Sequence, residues 1–242
     1  MRKRNKKDFE HWLLVRYQPK VFADAVRSLS PIQKKWVKAT GLSSLLSFRM
    51  NQYPQALCYH IASCFDVNMS ALVFGNVTIP ITEEDVNEVI GLPLGGRNVQ
   101  VIRSSHIEDA WRDQFKEYIK HGWKVTANMV CDAIKNSNQA DRLFKLNFMV
   151  LMYNILIEGP TNPYVKQNIL GFSGNLDQCS NYNWCSYLVA QLRDAVLTWN
   201  EKPDSKYFTG SLPMLVFSLI YIYVFFDYEK HSSHSTCTLI EL

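Results

Sequence analysis

The sequence predicts a mainly α fold: a single globular helical domain with one small β-hairpin at about 71–81. Three observations predict it. Apolar residues recur at helical spacing through most of the 242 residues. Ser30, Thr82 and Thr126 each stand where a helix would open, as residues that can cap free N–H groups. Only one stretch reads as two β-rich runs around a turn. At 47% apolar and 20% charged residues, the composition excludes a disordered, collagen-like or mucin-like chain. A chain this long buries about 70% of the surface its unfolded form exposes. The 13 Phe, 12 Tyr and 6 Trp residues predict a core with large, irregular members.

The elements follow in order. Residues 8–27 read as an extended approach and a short helix. Ser30-Pro31-Ile32-Gln33 combines an N-cap, a proline at the first helical position and a glutamine three residues on. The helix it opens should carry Ile32, Trp36 and Val37 inward and close at Thr40-Gly41. Leu42, Leu45, Leu46 and Phe48 form a further short turn. Residues 54–65 read as a helix with Leu57, Ile61 and Phe65 inward. The hairpin pairs 71–74 with 77–81 around Gly75-Asn76. Thr82 then caps a helix with Glu83, Glu84 and Asp85 in its first turn, Val86, Val89 and Ile90 inward, and a stop at Gly91-Leu92-Pro93. Residues 108–120 place Ile107, Trp111, Phe115 and Ile119 on one face. Thr126 caps 127–135, with Met129, Val130 and Ile134 inward. Residues 141–157 are apolar on nearly every side, the mark of a central helix, and Glu158-Gly159-Pro160 ends it. An amphipathic helix at 184–199 carries Trp184, Leu188, Leu192, Ala195 and Trp199. A second central helix spans 213–226.

Charge is uneven along the chain. The net charge is +4, yet Arg2, Lys3, Arg4, Lys6 and Lys7 alone supply +5 in the first seven residues. This arm fits a nuclear-import tag or a phosphate contact, and any further basic footprint centres on Lys34, Lys35 and Lys38. The expected organisation is a basic arm at 1–7, one helical domain at 8–229 and a polar tail at 230–242. The basic head runs into Asp8 and Glu10 with no apolar stretch long enough for a signal peptide. Six cysteines are too few for a disulfide scaffold of this length, which points to a reducing compartment. Residues 207–226 are free of charge, but Gly210, Ser211 and Pro213 leave only about 14 residues of helix, a length that suits a buried helix better than a membrane span.

No catalytic, cofactor or metal site is expected. Cys58/Cys64 and Cys179/Cys185 are each six apart, unlike the pairs two to four apart of structural zinc sites. They read as buried thiols. His231, His234 and Cys237 supply three ligands of the four that a closed site needs. Gly91-Leu-Pro-Leu-Gly95-Gly96-Arg97 follows a helix where a phosphate loop would follow a strand, so it reads as a helix end and a tight turn. Six Cys and six His allow many nucleophile–base pairs, and spacing singles out none. Trp36, Trp111, Trp184 and Trp199 lie on apolar helical faces and should be buried. Trp12 and Trp123 sit in less patterned surroundings and are the two candidates for an exposed interface.

Three segments, taken together, resemble a known family: Ser30-Pro-Ile-Gln-Lys-Lys with Gly41-Leu-Ser-Ser-Leu-Leu-Ser-Phe48, Ile81-Thr-Glu-Glu-Asp-Val-Asn-Glu-Val-Ile-Gly-Leu-Pro-Leu-Gly-Gly96, and Tyr182-Asn-Trp-Cys-Ser-Tyr187. The order resembles the plant mobile domain, also labelled aminotransferase-like. It is similar in particular to the region preceding ubiquitin-like-protease (SUMO-protease-type) domains in plant transposon-derived proteins. The likeness covers about residues 20–226. It implies a helical domain of nuclear, transposon-derived proteins with no catalytic residues to carry over, the protease machinery of such relatives lying in a downstream domain. The expected function is therefore a non-catalytic nuclear interaction or scaffold module with protein partners and no membrane. The alternatives are a DNA- or chromatin-associated module using the basic front of the chain, and a protease-family polypeptide lacking its catalytic domain.

Overall fold

Capping chemistry sets where most of the helices begin. The computed structural model describes residues 11–102, 105–118, 124–202 and 205–220. After Pro19, α1 (Lys20–Ser28) buries Phe22, Ala23, Ala25 and Val26. A capping box opens α2 (Pro31–Ala39): the Ser30 hydroxyl accepts from the Gln33 amide at 3.2 Å, and the Gln33 side chain accepts from the Ser30 amide at 2.9 Å. Gln33 is fully buried because its side-chain amide also donates to the carbonyls of Ser137 and Gln139. The inward face of α2 is thus Gln33, Trp36, Val37 and Thr40, and Ile32, expected inside, is 52% exposed.

A 3-10 turn at Ser43–Ser47 leads to α3 (Gln55–Ser63). Its buried face is Cys58, Ile61 and Ala62, which rotates Leu57 out to 39% exposure, against the expected Leu57/Ile61/Phe65 stripe. Phe65 leaves the helix altogether. It begins β1 (Phe65–Asp66), which pairs antiparallel with β2 (Ala71–Phe74), so the expected hairpin of β2 and β3 (Val77–Pro80) becomes a three-stranded sheet. Pro80 closes the edge strand β3, where a missing N–H is tolerated. A second capping box, Thr82 with Asp85, opens α4 (Glu83–Ile90), and Gly91 ends it at φ +78°. A Cβ there would also lie 2.1 Å from Ser44 Cβ, so both the dihedral and the close approach require glycine.

The stretch expected to be a helix end and tight turn does more than that. Residues 93–102 run along 171–184: β4 (Arg97–Asn98) pairs in parallel with a later strand at Tyr182–Asn183, Ile102 N bonds Gly171 O at 2.7 Å, and Ser173 N bonds Gln100 O at 3.1 Å. The next helix, α5 (Ser105–Arg112), is shorter than the expected 108–120, passing into a 3-10 turn at Asp113–Phe115. Trp111 and Phe115 are buried, and Ile119 lies outside the described residues. Thr126 caps α6 (Ala127–Lys135), which packs between α1 and the helix that follows it.

That helix, α7 (Arg142–Met152), is the axis of the core. Asp141 caps it by accepting from Phe144 N at 2.8 Å, and every residue from Leu146 to Met152 is buried. Its last turn widens into a π-helix, Tyr153–Ile157, and the chain leaves at Glu158 as expected. Asn154, buried in that turn, donates to the Val150 and Lys166 carbonyls and accepts from Lys166 N at 2.7 Å, pinning the following loop. Phe148 meets Phe22 and Trp36 at ring-centroid distances of 5.6 and 5.8 Å. Two 3-10 segments, Asn168–Gly171 and Leu176–Asn181, then lead through β5 (Tyr182–Asn183) into α8 (Trp184–Asn200), which packs on α4.

The final described helix, α9 (212–220), starts beside the end of α7, where the Ser211 hydroxyl donates to Leu156 O at 2.5 Å. Its first turns are buried, whereas Ile220 is 52% exposed, so it is not buried along its whole described length as expected. Residues 221–226, expected to continue this helix, and the expected tail at 230–242 lie outside the described residues. The architecture is therefore mainly helical with one small antiparallel sheet around a single hydrophobic core. Among the described residues no helix is long and apolar enough to cross a membrane.

Candidate functional site

The residues singled out by the sequence fall in three places. Arg2, Lys3, Arg4, Lys6, Lys7 and Trp123, and with them His231, His234 and Cys237, lie outside the described residues. Trp12, a candidate for an exposed interface, is half-buried. Its neighbour His11 is exposed and sits 5.3 Å from the Tyr59 ring and 6.0 Å from that of His60. Trp36, Trp111 and Trp184 are buried as expected, and Trp199 is half-buried with its indole N–H on Ser205 O.

Four of the five described thiols, Cys58, Cys131, Cys179 and Cys185, are packed into the core. Burial pushes Cys58, Cys179 and Cys185 up to about 12 and raises Cys131 and the half-buried Cys64 as well. Cys179 and Cys185 donate to the carbonyls of Leu176 and Leu92 at 3.3 and 3.1 Å, as neutral thiols do. A thiol held near 12 is about one part in ten thousand thiolate at pH 8, and thiolate is the nucleophilic and metal-binding form. Among the described residues no three His, Cys, Asp or Glu side chains gather closely enough to hold a metal ion.

What does gather is a cleft of about 350 Å³ between the first turns of α7 and the 168–177 segment. Its floor is apolar: Leu146, Ile169, Leu170 and Phe172 are each under 9% exposed, and Ile107 and Leu176 are partly covered. Gly174 lets the loop close on this floor, since a Cβ there would lie 2.3 Å from the Phe172 ring and 2.5 Å from that of Tyr182.

The cleft is edged by charge. On one side stands Asp177, which receives Lys145 Nζ at 2.6 Å and the Trp36 indole N–H at 2.7 Å. The hydrogen bond from Lys145, with that from Trp36, holds the Asp177 carboxyl below its ordinary value. Arg142 also edges the cleft; it is exposed and makes no hydrogen bond or ion pair among the described residues. The Trp36–Asp177 bond ties α2 to the edge of the cleft, and Lys34, Lys35 and Lys38, all exposed, lie on the other face of that helix.

Sequence reading missed this cleft, although one signal was present. Arg142 and Lys145 occupy the first turn of a helix, where the positive end of the dipole disfavours cations and acids are the usual choice. A local rule broken in this way marks a position held for something other than helix stability. Two further concavities lie elsewhere: a groove of about 470 Å³ lined by Phe48, Met50, Val89 and Phe217, and a polar hollow of about 400 Å³ around Arg112, Tyr164 and Lys166. In the hollow the Arg112 guanidinium is taken up by Glu108, Asp109 and Gln167, and Lys166 by Glu158.

Fold and site together define a helical domain with an open, apolar-floored cleft bordered by cations. The chain belongs to the family described as a domain of unknown function (DUF8566), whose model matches residues 15–216. No curated protein and no solved structure matches the chain.

Proposed function

We propose that this chain is a non-catalytic interaction module, acting in the nucleus as part of a transposon-derived plant protein. The nuclear and transposon assignments rest on the likeness to the plant mobile domain and on the basic residues Arg2 to Lys7. The observation that carries the interaction reading is the cleft itself. Its floor is apolar, its edges are charged, and the side chains on it are those that hold a surface rather than those that attack a bond. The raised thiols support the same reading, because they take the strongest intrinsic nucleophiles in the core out of play at neutral pH.

Thiol reactivity tests it. Iodoacetamide at pH 8, followed by mass spectrometry of the peptides carrying Cys58, Cys131, Cys179 and Cys185, should label these sites only after denaturant is added. Fast labelling of any of them in the native chain would overturn the non-catalytic reading. A nucleic-acid role is the second reading, favoured by the exposed Lys34, Lys35 and Lys38. It requires binding whose affinity falls steeply with salt.

A further inference from the structure

We infer that the cleft between α7 and the 168–177 segment is a docking site for a short acidic, apolar segment of a partner protein. The inference rests on the interaction reading above and gives it a place and a ligand chemistry. Two features set the chemistry. Leu146, Ile169, Leu170 and Phe172 offer a floor that only an apolar side chain can cover to advantage, since burying a polar group there would leave it without a partner. Arg142 stands exposed at the edge with no partner among the described residues, so an arriving carboxylate meets a cation with its donors free. Lys145 contributes position more than charge, because Asp177 already neutralises it at 2.6 Å.

The surroundings favour a polypeptide over a single small carboxylate. The apolar floor spans six side chains beside one free guanidinium, more surface than a single small carboxylate can cover. A chain that carries carboxylates beside one or two apolar side chains meets Arg142 and the floor together. A nucleic acid would meet the same cations but finds a single ring, Phe172, to stack on in a floor otherwise of Leu and Ile. The carboxylate contact to Arg142 makes the association salt-sensitive, with the apolar anchors setting the lifetime of the complex.

The test is fluorescence anisotropy of the full chain with fluorescein-labelled peptides of about ten residues, each carrying two leucines one helical turn apart among glutamates. Two comparison peptides replace either the leucines by serine or the glutamates by glutamine, and a single-stranded oligonucleotide of equal charge is the fourth probe. The Glu/Leu peptide should bind best, and Arg142→Glu should weaken it about tenfold. Leu176→Glu, on the floor, should weaken it further, and Arg193→Glu on the exposed face of α8 should leave it unchanged. Circular dichroism confirms that each variant is folded. The inference is overturned if Arg142→Glu leaves peptide binding intact, if the oligonucleotide binds as tightly as the Glu/Leu peptide, or if no peptide binds up to about 1 mM. Failure here removes the acidic, apolar ligand from the cleft, whereas native thiol labelling overturns the non-catalytic reading, so the two failures are distinguishable.

Discussion

Asn147→Ala should destabilise the chain by about 2–4 kcal/mol. Asn147 is 2% exposed in the middle of α7, and its carboxamide oxygen accepts the Trp111 indole N–H at 2.7 Å. The same oxygen accepts from Gln114 at 3.2 Å, and its amide donates back to Gln114 at 2.8 Å. Truncation to alanine strands the Trp111 N–H, because Trp111 is fully buried, out of reach of bulk solvent. A buried donor left without a partner costs about 1–3 kcal/mol, and the vacated volume adds about another 1 kcal/mol. Gln114 is only half-buried and can turn to solvent, so its loss adds little. In a chain of this size the change corresponds to a fall in Tm of roughly 5–12 °C. Urea unfolding followed by tryptophan fluorescence reads the effect directly. The reasoning is sharpened by a cycle with Trp111→Phe, which removes the indole N–H and leaves a ring. In that background Asn147→Ala should cost at least about 1 kcal/mol less. A loss below about 0.5 kcal/mol for the single variant, or strict additivity in the cycle, would refute the assignment of the cost to the stranded Trp111 N–H.

Three further outcomes follow from the same geometry. Gly91→Ala should cost about 2 kcal/mol or more by thermal melting, since it forces an alanine to φ +78° and drives its Cβ to 2.1 Å from Ser44 Cβ. Ser211→Ala should cost about 1–2 kcal/mol in urea, because it removes both the donor to Leu156 O and the acceptor for Met214 N at the start of α9. Asp177 has its carboxyl depressed by the hydrogen bond from Lys145, so its contribution is fully present above the ordinary carboxyl value of 3.8 and is lost as pH falls through the lower folded value. Because its side chain is 55% exposed, solvent screening limits that contribution to about 1 kcal/mol or less, and Asp177→Asn should remove it at pH 7 while flattening the acid limb of stability below about pH 4.

Much of the fold was legible because its signals are local. A cap, an inward stripe and a stop lie within one segment, and Ser30, Thr82 and Thr126 all open helices where their spacing placed them. The uniform greasiness of 141–157 likewise marked the helix that occupies the centre. What was not legible depends on partners distant in sequence. Gln33 is buried because carbonyls more than a hundred residues away receive its amide, and that bond turns Ile32 outward. Phe65 continues the helical stripe of α3 but is captured by β2, a pairing set by the sheet and not by its own segment. The parallel pairing of β4 with β5 brings together two-residue strands about 85 positions apart, too short to carry a pattern. The cleft is legible for none of its floor, since Ile107, Leu146, Ile169 and Phe172 meet only in the folded chain. Its edge alone left a trace, in cations placed at the start of α7 where helix electrostatics disfavours them.

The claim on which the account depends is that the working surface is the cleft at the start of α7. Hydrogen–deuterium exchange of the full chain, with and without a saturating Glu/Leu peptide, tests this most directly. The account predicts slowed exchange in the segments covering 105–112, 142–146 and 168–177, with 55–63 and 77–80 unchanged. Protection centred instead on 44–50 and 88–91, around the groove that Phe217 lines, would contradict it.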